Sequence, residues 1–235
     1  MKCLKLFGVG LVALFTLALT ASSSFAQLPD VSIALGGTYP LHLEVTILNV
    51  VTELSTTGGS HLKGSGVLLL LLTEELTSLG SFEVLFTSVL NPQAEKQPTS
   101  CISENGTTKD SSGLVLTLGT FHIVLLPHAS LGLLFLVQPL KIICGPVTIH
   151  VRGLALSWIN NATGTEGTEY TALTGILQGK EGKPEVTEYL NEGGTIVKAV
   201  LESDFGTEFQ ASDEDVETAV TATALEGKMF VIKPR

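Results

Sequence analysis

Apolar and polar residues alternate with a period of two in several segments, and this pattern restricts the fold more than any other feature. Leu41–Ile47, Val147–Arg152 and Val197–Glu202 all show it. Successive side chains of a β-strand point to opposite faces of a sheet, so such segments predict half-buried strands. The first segment predicts a core-facing set, Leu41, Leu43, Val45 and Ile47, and a solvent-facing set, His42, Glu44 and Thr46.

Clusters of glycine, asparagine and proline separate the strand-like segments. They are Gly58-Gly59, Asn91-Pro92, Asn105-Gly106, Gly179–Gly182 and Asn191–Gly194. These residue types favour tight turns, and regularly punctuated short strands are typical of antiparallel sandwiches and barrels. The sequence therefore predicts an all-β fold, an antiparallel meander forming a sandwich or flattened barrel of about ten to fourteen strands.

Two apolar runs do not alternate. Val67–Leu72 and Leu133–Val137 are too short to cross a membrane as helices, and we expect central strands that are buried on both faces. Leu68–Leu79 also contains good helix formers, so a helix capped by Gly80 is the alternative to a strand there. Gly64-Ser65-Gly66 has the composition of a short flexible turn.

The N-terminus has the order of a secretory signal. Two lysines within the first five residues precede the apolar segment Leu6–Thr20. Ser24 and Ala26 then place small residues three and one positions before a cut in front of Gln27. This order predicts a signal peptide over residues 1–26 and a secreted, extracellular protein. A membrane anchor is disfavoured because the apolar segment is shorter than the ~20 residues that a spanning helix needs.

Charge narrows the range of partners. Loss of Lys2 and Lys5 with the signal takes the 13 basic residues to 11, against 23 acidic ones, for a net charge of −12. Such a surface repels nucleic acid and anionic lipid, so we expect neither as a partner. We also expect no integral membrane segment after signal cleavage.

Most of the negative charge lies after residue 158. We expect a single β-rich domain over 27–235, with a possible internal boundary near 159–165, where the polar stretch Asn160–Thr165 predicts a loop.

Cys101 and Cys144 remain after Cys3 is removed with the signal. An even pair of cysteines in an oxidising compartment predicts a disulfide bond between them. Two buried free thiols are the alternative.

Motifs for catalysis, cofactors or metal binding are absent from the sequence. The five histidines show no H-E-x-x-H spacing, and no G-x-S-x-G elbow occurs. Asp213, Asp215 and Glu217 would share one face of a strand and are weak candidates for a calcium site. A solvated acidic sheet edge is the favoured interpretation of these three residues.

His122 is expected to be structural because it lies within a strand-like segment instead of a loop. Leu79–Val84 resembles Leu118–Ile123 around it, and each segment predicts a turn into the returning strand of a hairpin. In this internal similarity Glu83 corresponds to His122. An acid–base pair formed by these two side chains across a sheet is the alternative.

Several short segments resemble a known group of proteins. They are Thr120–Val124, Leu131–Val137, Ile143–Gly145, Val151–Gly153, Gly164–Glu166, Leu201–Gly206 and Glu226–Phe230. Together they are similar to a family of uncharacterised secreted proteins that occurs as many paralogues in soil actinobacteria. The resemblance implies a bacterial, secreted protein and brings no activity, fold or site residues with it.

The combination of many aliphatic residues, a β scaffold and no catalytic motif favours a non-enzymatic extracellular module. We expect it to bind a small apolar ligand or a cell-envelope partner, without a cofactor. A secreted hydrolase with a site assembled from scattered residues is the alternative. An outer-membrane barrel is disfavoured because aromatic residues make up only 6% of the chain.

Overall fold

The computed structural model of the 235-residue chain describes residues 31–35, 50–72, 79–92, 99–105, 108–109, 113–163, 169–170, 172–191, 194–216, 220–223 and 230–234. The predicted strand Leu41–Ile47 lies outside these residues. The described strands are β1 (Val31–Leu35), β2 (Val50–Thr56), β3 (His61–Leu72), β4 (Leu79–Asn91), β5 (Thr99–Asn105), β6 (Thr108–Lys109), β7 (Val115–Leu125), β8 (Ser130–Cys144), β9 (Val147–Thr163), β10 (Glu169–Tyr170), β11 (Ala172–Ile176), β12 (Gly179–Lys180), β13 (Lys183–Pro184), β14 (Glu188–Leu190), β15 (Ile196–Lys198), β16 (Leu201–Asp204), β17 (Phe209–Val216), β18 (Val220–Thr223) and β19 (Phe230–Pro234). A 3-10 turn spans Pro127–Ala129.

The predicted all-β antiparallel fold is confirmed, and its form is a barrel. Eight strand positions close a ring in the order β2, β3, β4, β7, β8, β9, β16, β17 and back to β2. Each neighbouring pair in the ring is antiparallel. A second, three-stranded sheet contains β1, β19 and β10, and β12 and β13 form a separate ribbon. Among the described residues, no helix combines the length and apolar character needed to traverse a bilayer.

Two strands share one position in the ring. β7 pairs with the first half of β8, where Gly119–Leu125 lies opposite Leu131–Val137. β5 then takes over, with Cys101–Glu104 opposite Lys141–Cys144. Between the two halves the register of β8 against β9 shifts, and Pro139 lies exposed at this irregularity. Proline has no N–H to donate to a ladder, so a bulge is where a long strand tolerates it.

The predicted disulfide is confirmed. Cys101 of β5 and Cys144 of β8 are direct cross-strand partners, and their Cα atoms are 4.2 Å apart. Both cysteines are fully buried and belong to the core inside the barrel. The bond therefore links β5 to the ring at the point where β5 replaces β7.

Two hydrophobic cores lie on opposite sides of the same strands. The inner core fills part of the barrel and includes Leu54, Val115, Ile142 and Ile149. An outer core forms where residues 186–189 and 197–199 cover the outward face of β7, β8 and β9. It contains Val124, Leu126, Leu134, Leu156, Tyr189 and Ala199. The prediction that Leu133–Val137 is a central strand buried on both faces is therefore confirmed.

The strand interpretation of Leu68–Leu79 is confirmed where the structure describes it. Leu68–Leu72 ends β3 and pairs with β4, which begins at Leu79, while residues 73–78 lie outside the described ranges. Gly64-Ser65-Gly66 lies inside β3, so the interpretation of this segment as a turn is wrong. The predicted loop at Asn160–Thr165 is wrong for residues 160–163, which continue β9.

The strand predicted at Val197–Glu202 is divided in two. β15 ends at Lys198 and β16 begins at Leu201. Ala199 belongs to the outer core and Leu201 to the inner one, so the chain passes from outside the barrel into its wall between them. The alternation at Val147–Arg152 is confirmed, since Ile149 and Val151 are buried and His150 and Arg152 are exposed.

The internal similarity has a structural basis other than the predicted one. The two segments are not turns: they lie in β4 and β7, which are antiparallel neighbours. Gly80 lies opposite Phe121, and Gly119 lies opposite Phe82. A Cβ built on Gly119 would be 2.4 Å from Cε1 of Phe82, so the Phe82 ring occupies the space that a side chain at position 119 would need.

Candidate functional site

A cavity of about 140 Å³ lies inside the barrel. Most of its wall is aliphatic or aromatic. Its described lining is Leu54, Leu62, Lys63, Gly64, Gly66, Phe82, Val84, Phe86, Val89, Val115, Thr117, Phe135, Val137, Leu140, Ile142, Val151, Ala155, Leu177, Leu201 and Glu214. All eight ring strands and the segment after β11 contribute these residues, so the whole barrel positions the site.

Small residues help to create this space. Gly64 and Gly66 of β3 line the cavity without a side chain, and Ala155 of β9 adds one methyl group. A Cβ on Gly66 would lie 3.2 Å from the Phe86 ring, so this ring lies against the glycine.

Aromatic rings bound another part of the cavity. Phe82 and Phe135 both line it, and their ring centroids are 5.2 Å apart in an edge-to-face arrangement. Phe121 is 1% exposed and packs behind Phe135, with a centroid distance of 6.4 Å. Edge-to-face pairs are favourable, and they hold these rings in defined positions.

Three lining residues are polar. Lys63 extends to the surface, where its Nζ lies 3.0 Å from Oε2 of Glu53. Glu214 is half-buried and has an interaction partner. Thr117 is 8% exposed, and it lines the cavity from β7. The wall thus offers a large apolar surface and one buried hydroxyl group.

An apolar wall holds water poorly, because a water molecule needs polar partners. An apolar molecule of matching size has no such need, and burial of its surface against this wall would favour binding.

His122 does not take part in this cavity. It lies on the outward face of β7, opposite Leu134 of the outer core. Burial lowers the pKa of His122 from 6.5 to about 4, so the imidazole is neutral near pH 7.

Glu83 is exposed on β4 and pairs with Leu118, whereas His122 pairs with Leu79. Four register positions separate the two side chains along the sheet, about 14 Å, so they form no acid–base pair.

His122→Gln is expected to make the free energy of unfolding less dependent on pH. Below pH 6.5 the unfolded chain binds a proton that folded His122 does not accept until about pH 4, so this residue destabilises the fold as the pH falls through that window. Between pH 7.5 and pH 4 the variant should gain about 1 kcal/mol relative to wild type, since solvent screening at a half-buried site reduces the effect.

Urea unfolding at pH 7.5, 5.5 and 4 measures this change. A difference between wild type and variant that stays constant across the three pH values would contradict the assignment of His122 as a residue buried in its neutral form.

The three calcium candidates are not alike in the structure. Asp213 of β17 is 1% exposed, and its Oδ1 accepts hydrogen bonds from the Ser55 hydroxyl at 2.5 Å and from the Gly182 N–H at 2.7 Å. Asp215 is half-buried on the same strand, opposite Glu53. Glu217 lies outside the described residues, and calcium binding by the three stays a prediction.

The solvated acidic edge is the wrong interpretation for Asp213. β17 pairs on both sides, with β2 and β16, and is not an edge. The buried carboxylate instead holds the β12–β13 ribbon against the barrel wall. Gly182 has φ of 75°, and a Cβ there would lie 2.1 Å from the Thr57 nitrogen, so glycine is needed at this contact. Oδ2 of Asp213 has no hydrogen-bond partner among the described residues.

No group of three histidine, cysteine, aspartate or glutamate side chains converges to hold a metal ion within the described ranges. His150 lies 3.9 Å from Asp204 at the surface, and His128 is exposed in the 3-10 turn.

The residues that form the cavity could not be recognised in the sequence. Thr117 lies in Val115–Leu125, where apolar residues occupy both faces and conceal the alternation. The signal that was present is Gly64-Ser65-Gly66, because glycines two apart in a strand leave one face without side chains.

No known protein family, curated protein or solved structure matches this chain, so the interpretation of function depends on the cavity and its lining.

Proposed function

We propose that this protein is an exported, non-enzymatic module that binds one small apolar molecule inside its barrel. The observation that carries the proposal is the cavity of about 140 Å³ with its almost wholly apolar wall. The sequence suggested two kinds of partner, a small apolar ligand and a cell-envelope component, and the cavity favours the first.

The dimensions of the fold support this function. An eight-stranded barrel has an interior just wide enough to be filled by side chains or to hold one small ligand. An engineered apolar cavity of about 150 Å³ in another protein stays dry and binds benzene. A ligand of six to ten non-hydrogen atoms therefore matches the space, with a Kd on the order of 0.1 to 1 mM for the smallest members.

Toluene titration followed by amide NMR shifts tests the proposal. Wild type should saturate, with the largest shifts on strands that line the cavity. Ala155→Leu should weaken toluene binding at least tenfold, because its larger side chain occupies the space that the ligand would use. The free energy of unfolding should not fall, since the new side chain fills a void.

Ala211→Leu is the matched control, because Ala211 is exposed on β17 and does not line the cavity. It should bind toluene as wild type does. Equal toluene affinity in Ala155→Leu and wild type would refute the proposal, as would the absence of saturable shifts in wild type.

A further inference from the structure

Thr117 introduces one polar atom into a wall that is otherwise apolar around it. It lies on β7 directly opposite Val84 and two residues after Val115, and both valines line the cavity. Phe82 lies over Gly119, the next inward position of the same strand. The Thr117 side chain thus faces the cavity among apolar neighbours.

Thr117 lies at a fork in the sheet. The pairing of β7 with β8 begins at Gly119, and at residue 116 the β7 backbone N–H donates to Oγ of Ser103 on β5, at 2.9 Å. Thr117 therefore lies where β7 separates from β8 and β5 begins to replace it. The hydroxyl group opens onto the cavity at this fork.

A hydroxyl group that faces an apolar cavity instead of bulk water carries a desolvation penalty unless it gains a hydrogen-bond partner. Valine has the same shape and would pack against the same neighbours without that penalty. A ligand atom that exchanges a hydrogen bond with Thr117 would remove the penalty and would be oriented by it.

We infer that the occupant of the cavity is a small, uncharged, mainly hydrocarbon molecule with a single hydroxyl or carbonyl group that hydrogen-bonds Thr117. This inference rests on the proposed function and specifies the ligand class for the same site. Small aromatic alcohols, phenols and cyclic ketones have this chemistry, whereas pure hydrocarbons lack the polar atom. The acidic protein offers no cation in the described lining other than Lys63, which is paired with Glu53, so an anionic ligand is disfavoured.

Phenol and toluene provide a matched pair of probes, since they have nearly the same size and differ in one polar group. Wild type should bind phenol more tightly than toluene, after correction for the greater solubility of phenol in water. Thr117→Val should reduce phenol affinity about tenfold, which corresponds to ~1.4 kcal/mol, and should leave toluene affinity within a factor of about two. Thr117→Ser keeps the hydroxyl group and should retain the preference for phenol.

Thr120→Val is the control on the same strand, because Thr120 lies on the opposite face from Thr117 and does not line the cavity. It should change neither affinity. Toluene binding to Thr117→Val also shows that this variant keeps its folded cavity.

The outcomes separate this inference from the proposed function. Failure of wild type to bind either probe would overturn both. Saturable toluene binding together with an unchanged phenol-to-toluene ratio in Thr117→Val would overturn the inference and leave the apolar cavity as a binding site. A tenfold loss for phenol alone, with the ratio restored in Thr117→Ser, would support it.

Discussion

Replacing Gly119 with alanine is expected to lower the free energy of unfolding by about 3 kcal/mol or more. A Cβ at this position would lie 2.2 Å from the carbonyl oxygen of Leu136 and 2.4 Å from Cε1 of Phe82. The first contact is with backbone, so relief requires β7 to move away from β8 where their pairing begins. Overpacking of a core usually costs 1 to about 3 kcal/mol, and a clash with backbone belongs at the upper end of that range.

Chemical unfolding of Gly119→Ala and Gly66→Ala measures the effect against a matched control. Gly66 is also buried on the inward face, but the nearest neighbours of an added methyl group would be side chains: the Phe86 ring at 3.2 Å, which can yield slightly, and Val84 at 3.8 Å. We expect a much smaller loss for Gly66→Ala. Similar stabilities of the two variants would contradict the close packing of Phe82 over Gly119.

Removal of the disulfide bond by the double substitution Cys101→Ala and Cys144→Ala is expected to cost about 4 kcal/mol. The cross-link closes a loop with a sequence separation of 43 residues, which lowers the conformational entropy of the unfolded chain. Loss of the cross-link restores this entropy and so stabilises the unfolded state. Both cysteines are fully buried in the inner core, so small voids left by the truncated side chains add to the loss.

Urea unfolding of the double variant beside wild type, each with and without reductant, measures this loss. Reductant should lower the stability of wild type toward that of the double variant and should leave the variant unchanged. A loss below about 1 kcal/mol would show that the bond contributes little constraint to the unfolded state.

Local patterns predicted much of the fold because they report which face of a strand is buried. Val147–Arg152 is the clearest case, because the buried residues Ile149 and Val151 alternate with the exposed polar residues His150 and Arg152. The cysteine pair was predictable for a different reason: with Cys3 assigned to the predicted signal, each of the two remaining cysteines has a single possible partner.

The cavity was not predictable because its residues come together only through pairings between distant parts of the chain. Thr117 and Ala155 lie on strands with apolar residues on both faces, and those strands have two cores to cover. Alternation shows that a strand has two faces. It cannot distinguish a face inside the barrel from an outer face that other residues cover. Ala199 and Leu201 belong to different cores although they are two residues apart, for the same reason.

Similarity between Leu79–Val84 and Leu118–Ile123 was visible in the sequence, but its meaning was not. Each segment contains a glycine and follows an apolar run, which favoured hairpin turns. In the barrel the two Gly-x-Phe segments are antiparallel neighbours. Gly80 therefore lies opposite Phe121, and Gly119 lies opposite Phe82. Only the register of β4 against β7 distinguishes this arrangement from two turns.

The ring closes through strands that are far apart in the chain, and this affects how the protein reaches its native state. β2, near the start of the described chain, pairs with β17, so that Ser55 meets Asp213 across a separation of 158 residues. Bringing such distant segments together lowers the chain entropy before any stabilising contact forms between them. Proteins with many non-local strand pairs therefore fold slowly. Until residues 209–216 arrive, β2 has an unpaired edge that can pair with another chain. Folding of this barrel is therefore exposed to aggregation until one of its last strands is in place.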